Sequence, residues 1–203
     1  MKDYEIKANK ILNNKFDLSF KNTNKNIYNI YNSFVNSTKM TGVFICYQET
    51  YSTFKNELYL AMASLCGATL EAETYVTIQD LRSSKGVMSE RLMQNDIFYI
   101  WKYLKKDAIT LKIFDEKMLK DVDEIIKYRS LIHFGERHFK YIVNAHSLTH
   151  TEITKSGFDI LMSKKQAQNL LNKTENILVE IMMNYAKSMI SDFDIETMNK
   201  LYR

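Results

Sequence analysis

The stretch from Tyr51 to Ser84 reads YSTFKNELYLAMASLCGATLEAETYVTIQDLRSS. Within it Phe54, Leu58, Met62, Leu65, Thr69, Ala72 and Val76 recur every three or four residues, the spacing of one stripe on a helix. The pattern predicts a single long α-helix from Tyr51 to Ser83-Ser84. Its middle, Ala61-Met-Ala-Ser-Leu-Cys-Gly-Ala68, carries small side chains on several faces, which lets other helices approach its backbone from more than one side. A helix of that kind belongs at the centre of a bundle.

Working outward, Ser89 is placed to cap a helix with Met93, Ile97, Ile100, Trp101 and Leu104 on one face, closing at the Lys105-Lys106 pair that suits a helix C-terminus. Asp115 opens another, with Met118 or Leu119, Val122, Ile125 or Ile126, and Ile132 inward. Ser163 caps the last, in which Ala167, Leu170, Thr174, Ile177 or Leu178, Ile181 and Tyr185 keep the same period. The chain has no proline and only five glycines, so the turn chemistry of an all-β protein is missing. The expected fold is all-α: an antiparallel bundle of four to five main helices over residues 41–203. Two short β-prone runs, Lys140–Val143 and Phe158–Met162, suggest a small β-hairpin insertion near 140–162. Residues 1–40 hold nine Asn and seven Lys against three acids. They read as an N-terminal Asn/Lys-rich extension, partly extended, with one short helix around Ile27, Ile30, Tyr31 and Phe34.

Composition narrows the class. With 45% hydrophobic residues, 13 Tyr and 11 Phe in 203 residues, the chain can build a sizeable core, and generic disorder is excluded. The charge-free run from Leu58 to Leu70 falls short of the roughly 17 residues a membrane span needs, so no membrane association is expected. Asp3 and Glu5 stand where a secretory signal wants positive charge, which favours a cytoplasmic setting. Cys46 and Cys66 lie alone in apolar surroundings and read as small core residues. The net charge of +4 permits contact with nucleic acid without requiring it. Phosphate-binding glycine loops, zinc-protease helices, nucleophile elbows and dinucleotide fingerprints are all missing, and no cofactor or metal is expected.

Chemically able side chains crowd into one segment, Lys127-Tyr-Arg-Ser-Leu-Ile-His-Phe-Gly-Glu-Arg-His138, with two of the five arginines and two of the four histidines. The stripe Leu119, Val122, Ile126 continues arithmetically to Arg129 and His133. Four residues apart, these two project from one helical face, near enough to converge on one anion. The plainer reading has the stripe reach the surface at the helix end, where His133 and Arg137 complement the C-terminal dipole before Gly135. His138, His146 and His150 read as loop histidines. Glu71 and Glu73 are surface carboxylates, unless one of them faces the motif helix and orients Arg129. Trp101, Phe98, Tyr99 and Tyr103 could stack bases but at helical spacing suit a core. Lys102, Lys105 and Lys106 form either a basic edge or a solubilising face.

The order of these pieces resembles the HEPN superfamily (higher eukaryotes and prokaryotes nucleotide-binding). A long small-residue helix with Ala68-Thr-Leu-Glu71-Ala72 comes first, then Arg129-Ser-Leu-Ile-His133-Phe-Gly, then a helix opened by Ser163-Lys-Lys-Gln-Ala-Gln-Asn-Leu170. The resemblance covers residues 50–190. It implies a helical bundle, a homodimer whose motif helices meet face to face, and an RNA cleft lined by Arg and His from each protomer. Arg129 and His133 would be the catalytic pair. A neutral imidazole, with an unperturbed pKa of about 6.5, can take the ribose 2′-hydroxyl proton, while guanidinium stabilises charge on the phosphoryl oxygens.

The spacing departs from the family's four to six intervening residues, since only three separate Arg129 from His133. A four-residue gap would put Tyr128 in the arginine position, and Lys127 could supply the cation; Arg137 and His138 are further candidates for support. Three readings follow. The first is a metal-independent endoribonuclease acting as a toxin or defence effector, with an antitoxin or host protein as a candidate partner. The second is a catalytically degenerate relative that binds RNA, a nucleotide or a protein. The third is a phage or mobile-element bundle that docks on a host protein.

Overall fold

The computed structural model describes residues 3–84, 97–133 and 162–190; within these, the side chains of residues 3, 4, 97–100, 102, 103 and 129–133 are outside the description. The described residues form seven α-helices and no strand: α1 (Asp3–Phe20), α2 (Lys25–Val35), α3 (Thr41–Lys55), α4 (Tyr59–Ser84), α5 (Ile97–Thr110), α6 (Glu116–His133) and α7 (Lys164–Ile190), with a 3-10 turn at Thr38–Met40 before α3. The all-α bundle is the fold. The hairpin expected near 140–162 and the Ser89 cap lie outside the described residues.

The single helix expected from Tyr51 is in fact two. At Asn56-Glu57-Leu58 the chain leaves α3 through a left-handed residue, Glu57 at φ 61°. The Glu57 N–H donates to Phe54 O at 3.1 Å and the Leu58 N–H to Thr53 O at 3.0 Å, the paired bonds of a Schellman stop. The same device ends α5, with Lys112 at φ 57° and bonds from Lys112 N–H to Ile109 O and Ile113 N–H to Ala108 O. Neither stop carries the glycine that normally announces one. Through the first, α3 folds back antiparallel on α4, and Thr50 Oγ1 meets Thr69 Oγ1 at 3.1 Å in the core.

The N-terminal forty residues are also more ordered than their composition suggests. Instead of extended chain, α1 places Ala8, Leu12, Phe16 and Phe20, each fully buried and four residues from the next, on one stripe. Phe20 stacks on Tyr31 of α2 with centroids 4.1 Å apart, and Tyr31 Oη donates to Asp17 at 2.7 Å. Asn24 caps α2 by accepting from the Ile27 N–H at 3.0 Å.

Around this, α4 is the hub, packed by α3, α6 and α7 along much of its length. Lys164 reaches Glu57 at 3.7 Å near the start of α4 and α7, and Ser84 Oγ donates to Met189 at 3.2 Å near their ends, so these helices run parallel. The Ser163 cap is a reciprocal box: the Gln166 N–H donates to Ser163 Oγ at 3.3 Å and the Ser163 N–H to Gln166 Oε1 at 2.8 Å. Asp115 opens α6, accepting from the Met118 N–H at 2.7 Å. Asn184 of α7 donates to Ile113 O just before α6, while Lys173 pairs with Asp121 further along it. As α7 descends in number, α6 ascends; α6 therefore runs antiparallel to both α7 and α4.

Candidate functional site

The helix opened by Asp115 continues without a break to His133. Met118, Val122, Ile125 and Ile126 are buried, which fixes the inward side of α6. Arg129 and His133 occupy the next positions of that register, on one side of the last two turns; their side chains are outside the described residues. Because α6 is antiparallel to α4, those turns lie toward the N-terminal half of α4, where Ala61–Ala68 supply small side chains. Small side chains of that kind let an opposing helix approach closely.

The remaining candidates separate. Tyr128 is half-buried and packed against the core, whereas Lys127 is exposed. Arg137 and His138, with His146 and His150, lie outside the described residues. Glu71 is half-buried on α4. Glu73 is no surface carboxylate: it is 0% exposed, on a different side of α4 from Glu71. The Arg129 side chain that either acid was expected to orient lies outside the described residues. Trp101 is half-buried, donates through Nε1 to Asp123 at 3.1 Å and lies 5.9 Å from the Phe114 ring, so it is committed to the core edge rather than presented as a stacking platform. Lys105 pairs with the same Asp123 at 2.5 Å, which removes it from a basic edge; Lys106 is exposed.

Three polar assemblies, two of them buried and the third partly exposed, escape the sequence reading. Arg82 Nη2 donates to Asp107 Oδ2 at 2.5 Å between α4 and α5. Tyr47 Oη donates to Glu175 Oε1 at 2.5 Å, and Lys15 approaches the other oxygen at 2.5 Å, tying α1, α3 and α7 together. Tyr185 and Lys39 both donate to Asp80. Burial lifts the Tyr47 and Tyr185 hydroxyls well above the ordinary phenol range, reinforced by the carboxylates they bond. Each assembly joins residues far apart in sequence, which no local period reveals.

Two hollows are instructive by their chemistry. One of about 450 Å³ lies between α6 and α7, lined by Lys117, Met118, Asp121, Asn172, Lys173 and Glu180. Its Lys173 is held by Asp121 at 2.8 Å and Glu124 at 3.2 Å, so the groove carries internally balanced charge rather than an anion seat. Another of about 710 Å³ lies between α1 and α2 beside Asp17, Leu18 and Tyr28, on elements remote in sequence from Arg129 and His133. Among the described residues no group of three His, Cys, Asp or Glu is arranged to hold a metal ion, and no helix is long and apolar enough to cross a membrane.

Comparison of the chain with family models, with curated proteins and with solved structures finds no match.

Proposed function

We propose that the protein is a metal-independent endoribonuclease of HEPN type, acting as a toxin or defence effector, with Arg129 and His133 as its catalytic pair. The observation that carries this is the uninterrupted course of α6 through His133, which keeps both residues on one helical side in register with the buried stripe. In this reading the His133 imidazole takes the proton from a ribose 2′-hydroxyl, the freed oxygen attacks the adjacent phosphorus, and the 5′-oxygen leaves with a proton. Arg129 stabilises the charge on the phosphoryl oxygens. The products are a 2′,3′-cyclic phosphate and a 5′-hydroxyl, and no metal takes part. Two α6 helices from a homodimer would line one cleft, through a self-complementary interface. Partners beyond RNA are a second copy and an antitoxin or host protein.

The three-residue gap between Arg129 and His133 favours a second reading, a degenerate relative that binds RNA without cutting it. Incubating wild type, Arg129→Ala and His133→Ala with total RNA in EDTA, after circular dichroism has shown all three folded, separates them. The expected result is cleavage by wild type alone, leaving cyclic-phosphate ends. Salt-sensitive RNA binding with no cleavage would move the assignment to the second reading.

A further inference from the structure

Glu73 sits in the middle of α4, fully buried, and among the described residues neither carboxyl oxygen has a hydrogen-bond partner. The helix register shows what surrounds it. Cys66, Thr69, Thr77 and Asp80 lie four or seven residues away and share its side of α4. Thr69 meets Thr50 of α3, and Asp80 accepts from Tyr185 of α7. Glu73 thus points into the seam where α3, α4 and α7 close together, away from the side on which Arg82 meets α5.

The other titratable groups entering this seam are already engaged or neutral. From α3, Tyr47 donates to Glu175 and Cys46 is half-buried. From α7, Glu175 is paired with Lys15 and Tyr185 bonds Asp80, which Lys39 holds from outside. On α4 itself Cys66 is buried, its thiol pushed up to about 12 by desolvation. From α5, Asp107 is taken by Arg82, and the described buried residues of α6 are apolar. The hydroxyls of Thr69 and Thr77 donate to carbonyls one turn back on α4, at 2.8 Å each, leaving no donor aimed at the carboxyl. Among the described residues no charge favours a carboxylate here, and burial holds the Glu73 carboxyl well above the usual range. An unpaired ion at such a site is far costlier than a neutral acid.

We infer that Glu73 is a proton-operated latch: as a neutral carboxylic acid it lets α3, α4 and α7 close on one another, and loss of its proton opens that seam. The inference is independent of the proposed nuclease activity. It ties the tightness of the hub helix, and hence of the platform under α6, to pH. The sign follows from linkage. An unfolded glutamate releases its proton near pH 4.3, while the folded one keeps it. The native state therefore binds more protons than the unfolded state above that value, and stability is fully present below it and declines as pH rises toward the folded pKa. The decline is tenfold in the folding equilibrium per pH unit.

The test is urea unfolding of the full chain at about pH 5, 6, 7 and 8, comparing wild type with Glu73→Gln, which keeps the shape and cannot ionise. Wild type is expected to lose stability relative to the variant as pH rises through this range, with about tenfold per pH unit as the limiting slope below the folded pKa. Equal pH dependence in the two proteins would overturn the latch. Should Glu73→Gln fail to fold, infrared spectroscopy of folded wild type at neutral pH supplies the second readout. A protonated-carboxyl stretch that vanishes on unfolding supports the inference, and its absence from the folded protein overturns it.

Discussion

Arg82 is 1% exposed, and its partner Asp107 is 7% exposed. Burial raises the Asp107 carboxyl, and the opposing pull of Arg82 and then Lys106 limits the rise. Removing one member of such a pair strands the other in a poorly solvated site. Arg82→Ala is therefore expected to lower stability by about 3–5 kcal/mol, read as a fall in the urea midpoint. A loss below about 1 kcal/mol, the range of exposed pairs, would mean that water reaches Asp107 freely. Nothing in the sequence marks Arg82 as interior. It adjoins Ser83-Ser84, where a helix end ordinarily meets solvent, and its partner lies 25 positions away. Glu73 was equally opaque, because a carboxyl four residues from Thr69 and Thr77 looks the same in a string whether it faces water or a seam. Arg129 and His133 stood out in the string for the opposite reason, as polar residues continuing an apolar stripe. The α6 helix runs through both positions, Met118, Val122, Ile125 and Ile126 mark its buried side, and the two side chains themselves lie outside the described residues.

Among the elements, the caps were readable and two of the stops were not. Ser163 and Asp115 act where expected because an N-cap is a local bond between one side chain and an amide two or three residues on. The breaks after α3 and α5 use Glu57 and Lys112 in a left-handed conformation, where glycine would have been the signal. A non-glycine residue there costs about 1–2 kcal/mol, and a glycine gives back about 0.5–1 kcal/mol through unfolded-state freedom. Glu57→Gly is thus expected to stabilise the protein by about 0.5–1 kcal/mol. Its tie to Lys164 at 3.7 Å, with both side chains about two-thirds or more exposed, is too solvated to offset that gain. Thermal melts of the two proteins check it, and a lower melting temperature in the glycine variant would show that the turn relies on the glutamate side chain. The α1 helix was missed for a related reason. Its Ala8, Leu12, Phe16 and Phe20 keep a strict four-residue period, but nine asparagines in forty residues weigh toward turns until that period is counted.

For the whole molecule, one core cluster runs from Ala8 of α1 to Ala186 of α7, so the N-terminal helices share their buried surface with the hub. Tyr47, Glu175 and Lys15 bind α3, α7 and α1 at a single point inside it. A core shared this widely should open as a unit, and Cys66 reports that opening. It is fully buried on α4, its Sγ lies 3.3 Å from the Met62 sulfur, and desolvation suppresses its thiolate. Cys46 is only half-buried, and burial raises its thiol as well. Alkylation of the native protein should therefore modify Cys46 first. Cys66 should wait for global unfolding, at a rate about 10⁴-fold or more below that of the denatured chain, given stabilities of about 5 kcal/mol or above for domains of this kind. Mass spectrometry of tryptic peptides along a time course distinguishes the two sites. If Cys66 reacts within a factor of about ten of Cys46, the α3–α4–α7 seam opens without the rest of the bundle and the single-unit description fails. If instead its protection follows the urea-derived stability from pH 6 to pH 8, and Glu73→Gln flattens that dependence once thiolate formation is corrected for, the seam, the hub and the whole fold share one equilibrium.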